Sequence, residues 1–388
     1  MEAAGLFSPM RLREVVLRNR IVVSPMLTYC ANGGHLNDYH FVHYGRFATG
    51  GAGLVFVEST KMDPRGCSTP RDLGLWKDEY IAPFRKITDF IHAQGAAVGI
   101  QIGHSGRKAR RPVPWEGRLQ LDDACPGVDH GEPWELIAPS AIAHDPHYAV
   151  PRAMTAADIE QALENWRRVA GRVLQAGFDV MEIHGAHGYL IHQFLSPVAN
   201  RRNDDYGGTF EKRMRFDIDV AKSVRQVWPA EKPLFFRMSC VDDTGWELEH
   251  SIELARRLGE AGVDVIDCSA GGMTEGSVAD LAPTYGYQVQ YAAQIREHSG
   301  VATMAVGLIV HPDQADDIIR SGQADLAALG REILHNPNWP LDAAQKLGVA
   351  SLDHIPKAYA YWLEKRAKTF KGKPSTWQKG MEKGPGSE

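Results

Sequence analysis

Two histidines stand three residues apart in His184-Gly-Ala-His187-Gly-Tyr189. Neutral imidazoles donate well to an oxyanion or a carbonyl oxygen. Two histidines also suit a metal ion, but no carboxylate or third histidine stands at a recognisable ligand spacing. One structural and one exposed histidine is the plainest alternative. The small residues between them leave little bulk, which favours a lined pocket. A second constellation is Gly307 with Gly330-Arg331. Glycines let a backbone come close to a ligand, and arginine offers a planar fork of donors, so the set suits a phosphate. Otherwise the glycines only end strands and Arg331 makes a surface ion pair. A third feature is Arg237, a charge at the end of the very apolar run 233–236. A buried guanidinium needs an anionic or carbonyl partner, whether that is a ligand or a structural salt bridge. The remaining histidines, His35, His40 and His43 among them, read as structural or surface residues.

These residues fall at the ends of apolar runs. Eight such runs, rich in β-branched residues, occupy 20–25, 53–58, 97–102, 178–184, 233–238, 263–269, 301–307 and 324–330. They are near-continuously apolar rather than alternating, as strands buried on both faces are. Helical patterns lie between most of them. Ile159, Leu163, Trp166, Ala170 and Val173 form an apolar stripe, and Thr155 with Asp158 reads as a capping box at its start. The phrases Gln175-Ala-Gly-Phe-Asp179, Glu260-Ala-Gly-Val-Asp264 and Ser321-Gly-Gln-Ala-Asp325 each place a helix-ending glycine before an apolar strand. Repeated strand–helix units predict an α/β fold, and eight of them fit a (β/α)8 TIM barrel better than an open doubly wound sheet. Such a barrel works at the C-terminal ends of its strands, with phosphate held after strands seven and eight.

Two stretches break the rhythm. Residues 104–152, rich in Pro, Gly and Trp, read as a capping excursion after strand three. The stretch 368–388 carries five lysines and little apolar matter and reads as mobile, or as ordered only by another subunit. The expected division is one barrel domain over 1–348 and a C-terminal extension over 349–388, helical in part.

Bulk properties narrow the field. Apolar residues make up 44% and charged residues 23% of the chain, which suits a globular protein with a large core. A net charge of −5 argues against nucleic acid or an anionic membrane as the main partner. The five cysteines, Cys30, Cys67, Cys125, Cys240 and Cys268, are odd in number and form no C-x-x-C pair. A disulfide framework, structural zinc and a Cys-ligated iron–sulfur cluster are therefore unexpected, and a reducing cytoplasm suits this usage. No secretory signal or apolar run near the ~20 residues of a membrane span is visible.

Taken in order, Ser24-Pro-Met26, Gln101 with Gly103-His-Ser-Gly-Arg107, His184-Gly-Ala-His187-Gly-Tyr-Leu190, and Ser196-Pro with Asn200-Arg-Arg-Asn-Asp-Asp-Tyr-Gly-Gly208 resemble the Old Yellow Enzyme family, most closely its thermophilic-type bacterial ene-reductases. They also resemble the barrel domain of aryl-CoA hydroxylase/reductase enzymes. The resemblance runs from about Leu6 to Gly348. It implies bound FMN, with NADPH or NADH as reductant, in a barrel likewise of the (β/α)8 type. Carried over, Ser24, Pro25, Met26, Leu27, Ser59 and Gln101 would meet the flavin ring. Arg237 would face its N1/C2=O edge, and Gly307, Gly330 and Arg331 would hold its phosphate. His184 and His187 would bind the substrate oxygen. Tyr29 and Tyr189 would line the substrate side, with Tyr189 or water supplying the proton. A homo-oligomer acting on a small molecule is expected. The subgroup's cysteine is replaced by Leu27, the nearest thiol being Cys30, and no cysteine follows Cys268, unlike relatives that carry an iron–sulfur cluster.

The implied reaction is reduction of the activated C=C bond of α,β-unsaturated carbonyl compounds. Lys108, Arg110, Arg111 and Trp115 keep open a second reading, an unsaturated or aromatic acyl-CoA thioester, since basic residues suit CoA phosphates. A metal-dependent lyase or hydrolase using the two histidines, and a non-catalytic binding barrel, are the more distant alternatives.

Overall fold

The computed structural model describes residues 5–117, 121, 128, 134–274, 284–349 and 351–370. Eight parallel strands close into a barrel: β1 (Ile21–Val23), β2 (Leu54–Lys61), β3 (Ala97–Gly103), β4 (Val180–Gly185), β5 (Leu234–Ser239), β6 (Val265–Ser269), β7 (Ala302–Ala305) and β8 (Leu326–Leu329). Each pairs with its successor, and β8 closes on β1 through Ala327↔Ile21, Ala328↔Val22 and Leu329↔Val23. All eight expected runs hold one strand each. A longer outer helix follows every strand: Asp38–Thr49, Ile81–Ala93, Ala156–Gln175, Arg215–Arg225, Leu248–Glu260, Val289–Ser299, Pro312–Arg320 and Trp339–Lys346. Helices cover the outer strand faces while side chains fill the lumen, which explains why the runs show no polar alternation.

The lumen is packed from below. Val22, Leu54, Phe56, Val180, Phe235, Val265, Met304, Leu326 and Ala328 form one cluster, and Leu12 and Leu17 join it. Those two belong to a short antiparallel hairpin, Met10–Leu12 with Val15–Leu17, that plugs the N-terminal end. Its strands have three residues each, too few to show a period, and it was not expected from the sequence.

The three repeated phrases share one device. Gly177, Gly262 and Gly322 adopt φ of +87°, +98° and +74°, the left-handed turn that ends a helix. Two residues on in the first two phrases and three in the last, an aspartate accepts a backbone N–H near the start of the neighbouring strand. Asp179 Oδ2 takes that of Val98 (3.0 Å), Asp264 Oδ2 that of Leu234 (2.8 Å) and Asp325 Oδ2 that of Thr303 (3.0 Å). Each phrase thus ends one element and staples the next into the sheet.

The stripe on Ala156–Gln175 is borne out. Ile159, Trp166, Ala170 and Val173 are buried, Leu163 packs against them, and Thr155 forms the reciprocal capping box with Asp158. The excursion after β3 lies partly outside the described residues. Its described part packs over the C-terminal side of the barrel: Trp134 Nε1 donates to Arg65 O (3.3 Å), and Ile137–Ala138 pairs with Arg152–Ala153. A helix, Lys357–Phe370, ends the described chain and exposes Tyr359, Tyr361 and Trp362. Most of the stretch expected to be mobile, 371–388, lies outside the described residues, as does Cys125. Among the described residues no helix is long and apolar enough to cross a membrane.

Candidate active site

A cavity of about 300 Å³ opens at the C-terminal rim between β8, β1 and the ends of β5 to β7. Ser24, Pro25, Met26, His187, Arg237, Gly307, Gly330 and Arg331, all singled out in the sequence, line it together. Gly307 has φ +112°, a conformation that favours glycine, and a Cβ there would press on the Gln288 side chain, with Nε2 at 2.7 Å. Gly330 stands over Met26, where a Cβ would lie 3.6 Å from the sulfur. Arg331 is exposed and makes no ion pair among the described residues, which removes the surface-salt-bridge alternative.

Arg237 has the structural partner of the second alternative and also a place at the cavity that the first requires. It lines the cavity, and its Nε lies 3.3 Å from Asp267 Oδ2 with Nη1 3.4 Å from Ser24 Oγ. β5 and β6 set this pair, since Arg237 and Asp267 are register partners. Below it, Gln101 Nε2 donates to Glu182 Oε1 at 2.8 Å between β3 and β4.

The histidine pair sits at the end of β4. Its rings meet edge to face with centroids 5.2 Å apart. His184 Nδ1 accepts the Ala186 N–H (3.3 Å), which leaves the ring proton on Nε2 as a donor. His187 Nε2 lies 2.7 Å from Ser269 Oγ, and its backbone, at φ +58°, donates to Ser239 Oγ. Burial holds both imidazoles well below the usual histidine range, with Arg237 among the neighbouring charges that add to the effect. Both are therefore neutral donors at physiological pH. Among the described residues no group of three or more His, Cys, Asp or Glu is placed to hold a metal.

Tyr189 packs its ring edge against His184 at 4.9 Å, and the ammonium groups of Lys61 and Lys108 lie 5.3 and 5.6 Å from its centroid. Tyr29, at φ +55°, meets Trp115 of the excursion edge to face at 5.8 Å. Burial, and then Tyr189 nearby, raise the Tyr29 hydroxyl above the usual phenol range, so it keeps its proton. Ser59 is buried and accepts from Lys61 Nζ at 3.1 Å. Leu27 is half-buried and does not line the cavity. Thr28, next to it, donates its N–H and Oγ1–H to buried Glu58, both at 2.7 Å, and this anchors the β1 loop.

Sequence reasoning missed several of these. Ser269 also lines the cavity and ends β6, the one strand end passed over, so the signal was present. Tyr287 and Gln288 line it from a loop with no local signal. Glu182 and Asp267 are charges inside runs read as apolar. Lys61, fully buried 3.6 Å from Asp72, ends a strand that runs three residues past the expected 53–58.

These residues fit flavin mononucleotide. The cavity offers one arginine beside Ser24, a second beside Gly330, a bare backbone at Gly307, and apolar walls from Met26, Val306 and Leu308.

The comparisons with known proteins agree with that fit. The sequence pattern of the NADH:flavin oxidoreductase / NADH oxidase family matches residues 5–349. An NADPH dehydrogenase of Bacillus subtilis (strain 168) is 41% identical over 349 residues, covering 89% of this chain and 96% of the relative. One from Geobacillus sp. (strain WCH70) is 42% identical over 347 residues, covering 88% and 94%. Among solved structures, morphinone reductase in complex with tetrahydroNAD has a TM-score of 0.72 at 25% identity, covering 89% of this chain and 92% of that one. A 2-naphthoyl-CoA reductase complex with 2-naphthoyl-CoA has a TM-score of 0.78 at 23% identity, covering 90% of this chain. This chain spans 53% of that larger protein, and the likeness concerns the fold.

Fold and site define a flavin-dependent TIM-barrel oxidoreductase. The chain belongs to the NADH:flavin oxidoreductase / NADH oxidase family, the Old Yellow Enzymes, and is an FMN enzyme that takes its electrons from NAD(P)H.

Proposed function

We propose that this enzyme reduces the activated C=C bond of small α,β-unsaturated carbonyl compounds. The observation that carries the reading is the single cavity that joins Arg237, His187, Gly307 and Arg331 at the barrel's C-terminal rim. Bound FMN supplies hydride transfer from NAD(P)H to the alkene. The protein's part is to bind, orient and protonate. Arg331 and the backbone at Gly307 and Gly330 hold the phosphate. Ser24, Pro25, Met26, Ser59 and Gln101 surround the ring, and Arg237 supplies the positive charge near its N1 edge. His184, through its Nε2–H, and His187 polarise the substrate carbonyl. Tyr29 and Tyr189 line the substrate side, and Tyr189 holds the proton for the α-carbon.

A thioester carrying CoA is disfavoured by the partners of the excursion's basic residues. Lys108 Nζ donates to His187 O and Gly272 O at 3.0 and 2.9 Å, Arg110 to Trp134 O, and Arg111 to Tyr148 Oη at 2.6 Å. These cations brace the loop instead of facing phosphates.

The proposal extends to a barrel domain over 1–348 and an extension over 349–388. The exposed aromatics of Lys357–Phe370 support self-association. The free thiols of Cys30, Cys67, Cys240 and Cys268 support a cytoplasmic place, and the net charge of −5 supports a small-molecule partner rather than nucleic acid. The test is a panel of enones, nitroalkenes and enoyl-CoAs added to NAD(P)H-reduced enzyme. Fast flavin reoxidation by enones, but not by enoyl-CoAs, is expected. The reverse order would assign the thioester.

A further inference from the structure

Beneath the cavity the lumen holds two carboxyl groups and one guanidinium. Glu182 on β4, Asp267 on β6 and Arg237 on β5 are 0%, 0% and 8% exposed. Asp267 Oδ2 lies 3.3 Å from Arg237 Nε and so takes the role of counter-ion, although neither Asp267 oxygen has a hydrogen-bond partner among the described residues, so the ion pair alone sets it apart from Glu182. Glu182 has no such partner. Its Oε1 accepts from Gln101 Nε2, and its Oε2 has no hydrogen-bond partner among the described residues, although it is fully buried. An ionised carboxylate left in that condition is costly, whereas a protonated one is not. One positive charge cannot offset two negative ones in an apolar lumen.

The other groups that face Glu182 are few. His184 follows on the same strand, and β3 contributes Gln101. The lumen cluster below is apolar: Val22 of β1, Phe56 of β2, Met304 of β7 and Ala328 of β8. Burial and, next, the Asp267 charge push the Glu182 carboxyl well above the usual carboxylate range, against the opposing pull of Arg237 and Gln101. Burial raises Asp267 as well, with Arg237 opposing it. Of the two, Asp267 has the direct ion pair and keeps its charge, so the proton rests on Glu182.

We propose that Glu182 is a proton-linked positioning residue, which binds and releases a proton as negative charge enters and leaves the flavin pocket above Arg237. The inference rests on the FMN reading of that pocket. NAD(P)H hands over two electrons with one proton, which adds one negative charge to the pocket. That charge tightens Glu182's hold on its proton. Between the pH at which Glu182 ionises with the oxidised cofactor and the higher pH at which it ionises with the reduced one, reduction draws a proton from solvent onto its carboxylate. The same proton returns to solvent when the electrons pass to the alkene. Gln101 and Arg237 both touch this carboxyl pair and both are placed at the flavin ring, so the coupling needs no longer path.

The experiment is a potentiometric titration of the holoenzyme across pH, with proton uptake on reduction followed by an indicator dye in weak buffer. Wild-type protein should show a pH interval in which the potential falls more steeply and uptake rises by up to about one proton per FMN. Glu182→Gln, which mimics the protonated carboxyl, should hold FMN and lose both features. A wild-type plot with no such interval overturns the inference whatever the variant does. An interval that survives unchanged in Glu182→Gln overturns the assignment to Glu182. A protein that binds no FMN overturns this inference and the functional reading together. One that holds FMN with straight plots overturns the inference alone.

Discussion

Arg331 and Tyr189 carry the most exposed parts of the account. Arg331 lines the cavity beside Gly330 and makes no ion pair among the described residues, so its donors remain for an anionic ligand. Arg331→Ala should weaken FMN retention roughly tenfold, about 1.4 kcal/mol, the low end of a charge-assisted hydrogen bond because the side chain is exposed. Equilibrium dialysis of apoprotein with FMN reads it, and unchanged retention would move the phosphate elsewhere. Tyr189→Phe keeps the ring between His184 and the two lysines but removes the hydroxyl. The alkene half-reaction should slow by roughly 10²–10⁴-fold while the NAD(P)H half-reaction stays nearly unchanged. Stopped-flow traces of both decide it, and equal slowing would mean general pocket damage. At this scale the sequence was legible where a polar residue ended an apolar run, as with Arg237 and the His184/His187 pair. It was silent where a charge sat inside a run. Glu182 in FDVMEIH and Asp267 in VDVIDCS turn into the lumen, and each is explained only by a partner on another strand.

Among the elements, the three glycine–aspartate phrases were legible as helix ends but not as staples, because the accepted N–H lies about 80 residues away in the first and about 20–30 in the other two. Asp325 accepts from Thr303 N–H and also pairs with Arg296 at 2.9 Å. Asp325→Ala leaves a strand N–H unmet and should cost about 1.5–3 kcal/mol, measured as a lower midpoint in urea with the slope unchanged. A change within error would mean that water replaces the carboxylate.

The β1 loop offers a pH test. Its anchor, Glu58, accepts from Thr28 twice and from Tyr44, with His40 Nε2 3.7 Å away. Burial, the largest influence, pushes its carboxyl up to about 7, against the hydrogen bonds from Thr28 and Tyr44. A raised acid binds its proton more tightly folded than unfolded, so it lowers stability as pH rises from the unfolded range, near 4.5, towards about 7. The Tm of wild type minus that of Glu58→Gln should therefore decline across that window. A constant difference would show that folding leaves the Glu58 carboxyl unshifted. The anchor itself was invisible in the sequence, where Glu58 reads only as the polar end of a strand.

For the molecule as a whole, eight buried runs separated by helical patterns sufficed for the barrel, because a strand covered on both faces leaves a continuous apolar signature. The hairpin plug was too short to leave one. The way the excursion brings Trp115 against Tyr29 and ties Lys108 to Gly272 was not legible at all, since those contacts join segments far apart in the chain. The central claim is that one cavity binds FMN and passes electrons from NAD(P)H to an enone. Anaerobic absorbance spectroscopy of the purified protein tests it in a single cuvette. The account predicts a yellow protein that bleaches with NADPH or NADH, regains its colour with an enone such as cyclohexenone, and releases FMN rather than FAD on denaturation. A colourless protein that stays colourless after incubation with FMN would contradict it.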